Sequence, residues 1–197
     1  MNKIVFTTLS VIILFSLSCK DHLPLDKDLT KKNYSLVNQN GDEVIFPENI
    51  IGHITVMGFI YTHCPDICPM TTHNMYLVQK QLNEEGIDNV KFVAISFDPD
   101  RDSPEVLKKF GEIRDLDFNS WTFLTGQKNT VDEMMKRFDV KAIKTDKSID
   151  EEGNPEYSMM HTDRISLIDE NGILRKNYKG STLNLEELIN DIKTLQD

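Results

Sequence analysis

Two cysteines four positions apart, Cys64 and Cys68, stand in the run His63-Cys64-Pro65-Asp66-Ile67-Cys68-Pro69. The run follows a segment of buried-strand character and opens a helical one. Both thiols therefore sit at a helix N-terminus, where the positive end of the dipole favours thiolate over thiol. A thiolate is both a soft-metal ligand and a redox nucleophile, so the placement suits either chemistry. The gap is three residues, not the two of the common dithiol redox motif, and it puts both sulfurs on one side of a helical turn. From there they can close a Cys64–Cys68 disulfide or take two sites on a soft metal ion. Two buried structural cysteines are the plainer alternative, because a free cysteine packs as a small hydrophobe. Two prolines and an acid inside the run argue against simple core filling.

The elements that must position these thiols can be read along the chain. Tyr34–Val37 and Glu43–Phe46 flank Asn38-Gln39-Asn40-Gly41, whose Asn-Gly pair favours a hairpin turn. Ile54–Tyr61 is a nearly continuous apolar run, as in a buried central strand. Residues Pro69–Glu85 predict a helix with Met75, Val78 and Leu82 on one face and Gly86 as its stop. Val90–Phe97 predicts a second buried strand, and Ser103-Pro104-Glu105 opens a helix to about Ile113. Trp121–Leu124 is a short strand, and Thr130 with Glu133 predicts a capping box for a helix ending at Phe138. Residues 141–156 carry eight charges in sixteen positions and predict a solvated excursion. Ile165–Asp169 and Ile173–Tyr178 flank a Glu170-Asn171-Gly172 turn, and Asn184 with Glu187 caps a last helix striped by Leu185, Leu188, Ile189, Ile192 and Leu195. This order predicts an α/β, thioredoxin-like fold over residues 34–197, with an N-terminal β-hairpin and an inserted charged excursion, its mixed sheet covered on both faces.

In folds of that kind the segment entering the second hairpin passes beside the cysteines, and here it carries His161. A lone histidine before a strand is usually a hydrogen-bonded structural residue, but a place opposite two thiolates favours a ligand role. Two thiolates and an imidazole suit Cu(I) or Cu(II), soft sulfur holding the first and nitrogen helping to hold the second. Zinc can use the same set, although closed zinc sites want a fourth protein ligand. Met159 and Met160 offer thioethers but read as core or surface filling. His63 belongs to the strand–helix junction, His73 to a solvated helix face and His53 to a loop. The Asp98-Pro99-Asp100-Arg101-Asp102 run reads as a loop at the carboxyl end of a buried strand, with Arg101 neutralising its aspartates and Ser103 capping the next helix, and as a docking surface near the thiols.

Composition narrows the class. The chain has 197 residues, 22 Lys+Arg against 32 Asp+Glu, and a net charge of −10, which excludes the basic face a nucleic-acid binder needs. Three cysteines cannot make a disulfide scaffold, and the odd count leaves one with a separate task. Met1-Asn2-Lys3 and the fifteen residues Ile4–Ser18, ten of them apolar, form an export signal that is short for a spanning helix. Cys19 follows a small residue, so residues 1–18 read as a lipoprotein signal, Cys19 as the lipidated first residue of the mature chain and residues 19–33 as a tether. An uncleaved N-terminal anchor is the alternative. Either way the domain is exported and membrane-anchored, facing the periplasm of a bacterial envelope. With no long hydrophobic oligomer face in the sequence, it is expected to be a monomer.

Phe59-Ile60-Tyr61-Thr62-His63-Cys64-Pro65-Asp66-Ile67-Cys68-Pro69, Ser96-Phe97-Asp98-Pro99-Asp100-Arg101-Asp102-Ser103-Pro104, Trp121-Thr122-Phe123-Leu124-Thr125-Gly126 and His161-Thr162 together resemble the Sco (SenC/PrrC) copper chaperones of cytochrome c oxidase assembly. The resemblance covers about residues 34–195. It implies that Cys64, Cys68 and His161 bind copper, and that copper is delivered to the binuclear centre of oxidase subunit II or to another cuproprotein. Members often carry an acid just before the histidine, where this chain has Met160, a change that alters the charge of the site. A membrane-anchored thiol–disulfide oxidoreductase that reduces a cuproprotein's cysteines needs the same pair. A stoichiometric carrier need not turn over, so the expected role is binding before catalysis. A peroxiredoxin-like peroxidase is set aside, because Tyr61 and Met57 stand where that chemistry places Thr or Ser and Pro.

Overall fold

A computed structural model describes residues 23–24, 27–64, 67–149 and 155–196. The signal expected at 1–18 and the lipid acceptor Cys19 lie outside the described residues. No helix among the described residues is long and apolar enough to cross a membrane.

Among the described residues the chain is an α/β structure built on ten strands and four α-helices. In order these are β1 (Lys27–Asp28), β2 (Tyr34–Asn38), β3 (Glu43–Phe46), β4 (Ile54–Ile60), α1 (Ile67–Glu84), β5 (Val90–Ser96), α2 (Pro104–Glu112), β6 (Trp121–Thr125), α3 (Lys128–Arg137), β7 (Ala142–Ile149), β8 (Pro155–His161), β9 (Ile165–Ile168), β10 (Ile173–Tyr178) and α4 (Leu185–Gln196). Eight strands form one sheet in the order β1-β10-β9-β4-β5-β6-β2-β3, and β7 with β8 forms a separate two-stranded sheet. The central β4, β5 and β6 run parallel, which their crossover helices α1 and α2 permit, while β9 and β2 join from either side antiparallel. Every residue of β4 is buried, as expected for a strand covered on both faces.

Side chains on alternating faces show what covers the sheet. Gly58 leaves room on one face for α1: a Cβ there would stand 3.1 Å from Met75 Sδ. On that same face Trp121 stacks on Phe92 and donates its indole N–H to Gln79 of α1, and Phe110 of α2 meets Phe123 edge-on. Helix α4 packs beside α1. Phe59 points to the opposite face, where Phe138 at the end of α3 packs against it at a centroid distance of 5.5 Å.

Several local expectations are corrected. Helix α1 begins at Ile67, not Pro69, so Cys68 lies within its first turn. Helix α3 begins at Lys128, two residues ahead of the Thr130–Glu133 box; Thr130 donates to Asn129 instead, and Glu133 pairs with Lys32. The segment read as tether up to residue 33 is docked from Lys27 on: β1 pairs with β10, and Leu29 is buried. The described residues of the charged excursion form paired strands, β7 antiparallel to β8. Both flanking hairpins and the Asn184 cap of α4 form as expected, Glu187 N–H donating to Asn184 Oδ1 at 3.3 Å.

Candidate metal centre

The parallel strands bring the candidate residues to one end of the sheet. Strand β4 ends at Ile60 and runs into Tyr61-Thr62-His63-Cys64, and Cys68 follows in the first turn of α1. Strand β9 is antiparallel to β4, with Ile165 opposite Gly58, so the residues before β9 return to that same end. His161, the last residue of β8, thereby reaches the thiols across 93 positions of sequence. The ligand atoms of Cys64, Cys68 and His161 all lie within 4.8 Å of one another. Both cysteines are buried thiols, not joined as a disulfide.

Each donor is oriented. The Cys68 N–H, an orphan donor of the first helical turn, donates to Cys64 Sγ at 3.3 Å. His161 Nδ1 lies 3.0 Å from the carbonyl of Thr162, which can only accept, so Nδ1 carries the proton. That leaves the Nε2 lone pair directed at Cys68 Sγ, 3.6 Å away. The imidazole sits between the rings of Phe97 and Tyr61, at 4.9 and 5.9 Å. The Tyr61 hydroxyl accepts from Met159 N–H at 3.2 Å.

Electrostatics within the cluster oppose the simple expectation from the helix dipole. Hydrogen bonding to Cys64, then burial, then the charge of Cys64 push the Cys68 thiol far up, so the proton stays on Cys68 in the metal-free site. Burial alone would lower His161, but hydrogen bonds to Cys64 and the Thr162 carbonyl, with the charges of Cys64 and Asp163, raise it overall. Two sulfurs and one nitrogen, close together and with few charges to hold them apart, form a donor set for a soft metal ion.

The other candidates lie elsewhere. His63 is exposed, His73 is exposed beside Tyr76, and His53 bonds Asn89. Met160 is 69% exposed and Met159 packs against the core. In the Asp98–Asp102 loop, Arg101 pairs with Asp98 at 2.6 Å and Ser103 caps α2 through Val106 N–H, as the sequence suggested. Asp102 is fully buried and accepts from Ser96, from the Thr62 hydroxyl and from Thr62 N–H at 2.6, 2.5 and 3.1 Å. Sequence reading missed Tyr61 and Tyr157, which hold the histidine strand. The only signal in the chain for Tyr61 was a polar aromatic at the end of an apolar run.

Fold and site together define a class: a thioredoxin-like α/β domain with a cluster of two thiols and one imidazole at the carboxyl ends of its parallel strands. The chain belongs to the SCO1/SenC family, whose model matches residues 24–197. It is 32% identical over 193 residues to the SCO1 protein homolog of Bacillus subtilis (strain 168), covering 95% of this chain and 94% of that one. Its fold matches a SCO1/SenC family lipoprotein from Bacillus anthracis str. Ames at a TM-score of 0.71 and 32% identity, covering 84% of this chain and 94% of that one. It also matches Bradyrhizobium japonicum ScoI with copper bound at a TM-score of 0.70 and 28% identity, covering 83% of this chain and 98% of that one.

Proposed function

We propose that the protein is a copper metallochaperone: Cys64, Cys68 and His161 hold one copper ion and hand it to the binuclear centre of cytochrome c oxidase subunit II or to another cuproprotein. The observation that carries this reading is the cluster of two sulfurs and one imidazole nitrogen that lie within 4.8 Å of one another. The copper-bound Bradyrhizobium relative supports the choice of metal. Copper is cargo here. The residues' task is to lose the Cys68 proton on loading, to offer Nε2 as the third donor and to leave an open position through which a client's ligands enter and displace them one at a time. Cys19 as a lipid anchor, following a signal at residues 1–18, would hold the domain at the outer side of a bacterial membrane, facing the periplasm; the lipoprotein from Bacillus anthracis supports that placement.

The same two thiols support a second reading, a thiol–disulfide oxidoreductase. Cys64 is 8% exposed and Cys68 only 1%, so Cys64 would attack a client disulfide. Cys68 would then resolve the mixed disulfide, two electrons passing to the client as the Cys64–Cys68 disulfide forms. His161 separates the readings. In anaerobic copper titrations the parent protein takes up one copper per chain, Cys64→Ser and Cys68→Ser lose it, and His161→Ala loses the Cu(II) absorption while keeping thiol exchange. Full copper retention by His161→Ala, with thiol exchange abolished by Cys64→Ser, would overturn the chaperone reading.

A further inference from the structure

Among the described residues, the strand pair that carries His161 shares no ladder hydrogen bond with the eight-stranded sheet. Something else must set where the imidazole stands relative to the thiols. The inward face of β8 bears Tyr157, Met159 and His161, two residues apart, while Glu156, Ser158 and Met160 are exposed. Tyr157 is the buried anchor of that face. Its hydroxyl donates to Asp98 Oδ1 at 2.5 Å. Asp98 Oδ2 accepts from Arg101 Nε at 2.6 Å, and Arg101 Nη1 donates back to the Tyr157 carbonyl at 3.0 Å. The guanidinium lies over the Tyr157 ring, 3.6 Å from its centroid, so the circuit closes on itself. The same loop grips the cysteine segment, because Asp102 holds the N–H and hydroxyl of Thr62, two residues before Cys64.

We propose that Asp98, Arg101 and Tyr157 form a positioning clasp that sets the distance from His161 Nε2 to the thiol pair, and with it the affinity for copper and the geometry of the Cu(II) site; this rests on the copper reading. The physical reason is economy of freedom. A two-stranded hairpin on its own is marginal in water, and an imidazole on a loose strand must be ordered at each loading. One five-residue loop that holds both ligand-bearing segments removes that cost in advance. Asp98 is buried and Arg101 is half-buried against it, so each charge has its partner in place and neither needs the hairpin to neutralise it. The hairpin's share of the circuit is the Tyr157 hydroxyl, ring and carbonyl.

Tyr157→Phe removes only the hydroxyl and leaves the Arg101–Asp98 pair intact. In metal-free protein, amide exchange in residues 156–161 should speed up at least tenfold while β4 and β5 keep their parent rates. Cu(II) affinity, read by chelator competition, should fall by about 10–100-fold, the usual effect of removing a group that orients a metal ligand. The Cu(II) absorption and electron paramagnetic resonance parameters should shift. Arg101→Lys, which keeps the charge but not the fork, should move all three in the same direction. Ile149→Ser, at an exposed position on the same hairpin, should move none. Parent exchange rates and parent copper parameters in Tyr157→Phe overturn the clasp, as does an equal response in Ile149→Ser. A parent protein that takes up no copper overturns the copper reading instead, and the exchange comparison still judges the hold on the hairpin.

Discussion

At the scale of single residues the site depends on buried groups whose neighbours set their protonation. Cys68 keeps its proton because Cys64 is hydrogen-bonded to it, and His161 exposes Nε2 because Thr162 occupies Nδ1. Asp102 is the third such group and supports the cysteine loop without touching the sulfurs. Burial raises its carboxyl above the ordinary value of 3.8, and hydrogen bonds from Ser96 and Thr62 offset only part of that. A carboxyl raised in the folded state contributes stability that is fully present below pH 3.8 and is lost as pH climbs through the folded value. Asp102→Asn does not ionise, so urea unfolding across a pH series should show the variant gaining on the parent as pH rises above 3.8; a pH-independent difference would contradict the account. Cys64 and Cys68 were legible in the sequence because a strand–helix junction is a local feature. His161 was legible only through resemblance to a fold, since nothing local distinguishes a ligand from a structural histidine. Tyr157 was not legible at all: its partners Asp98 and Arg101 lie more than fifty positions away.

At the scale of elements, the strands and helices with strong periodicity emerged as read, and boundaries set by caps decided the errors. The Thr130–Glu133 pair has the capping-box pattern, yet tertiary packing of Val131 and Met134 starts α3 at Lys128 and places Thr130 inside the helix. Thr130→Ala should therefore change stability by less than about 0.5 kcal/mol, as for a surface substitution. Asn184→Ala, which removes the acceptor for Glu187 N–H, should cost about 1 kcal/mol. Chemical unfolding of both variants checks the boundary, and the reverse order would contradict it. The strand pairing within the excursion at residues 141–156 was not legible, because half of those positions are charged and their alternation of faces is hidden. Strand pairing there depends on the distant clasp at Tyr157, with further support where Lys144 pairs with Asp100.

At the scale of the whole molecule, the parallel core β4-β5-β6 presents its carboxyl ends on one side, and the antiparallel β9 returns the histidine strand to it. The domain is larger than its sequence suggested, because Leu29 is buried and its N–H donates to the Gly172 carbonyl at 3.0 Å. A chain that starts at Tyr34 should thus be less stable than one that starts at Lys27 by roughly 2–3 kcal/mol, the worth of one buried leucine side chain and its strand contacts. Equal unfolding free energies would place the domain boundary where the sequence alone put it. The fold was legible because alternating strands and helices admit few right-handed arrangements; the docked N-terminal segment was not, being two strand residues and a turn with no period to read. The central claim is that one copper ion bridges both ends of this architecture, and copper X-ray absorption on the loaded protein tests it most directly. The account predicts two sulfur scatterers and one imidazole nitrogen in the parent, with the nitrogen signature gone in His161→Ala and one sulfur gone in Cys68→Ser. A copper shell of nitrogen and oxygen alone, or one unchanged by either substitution, would contradict it.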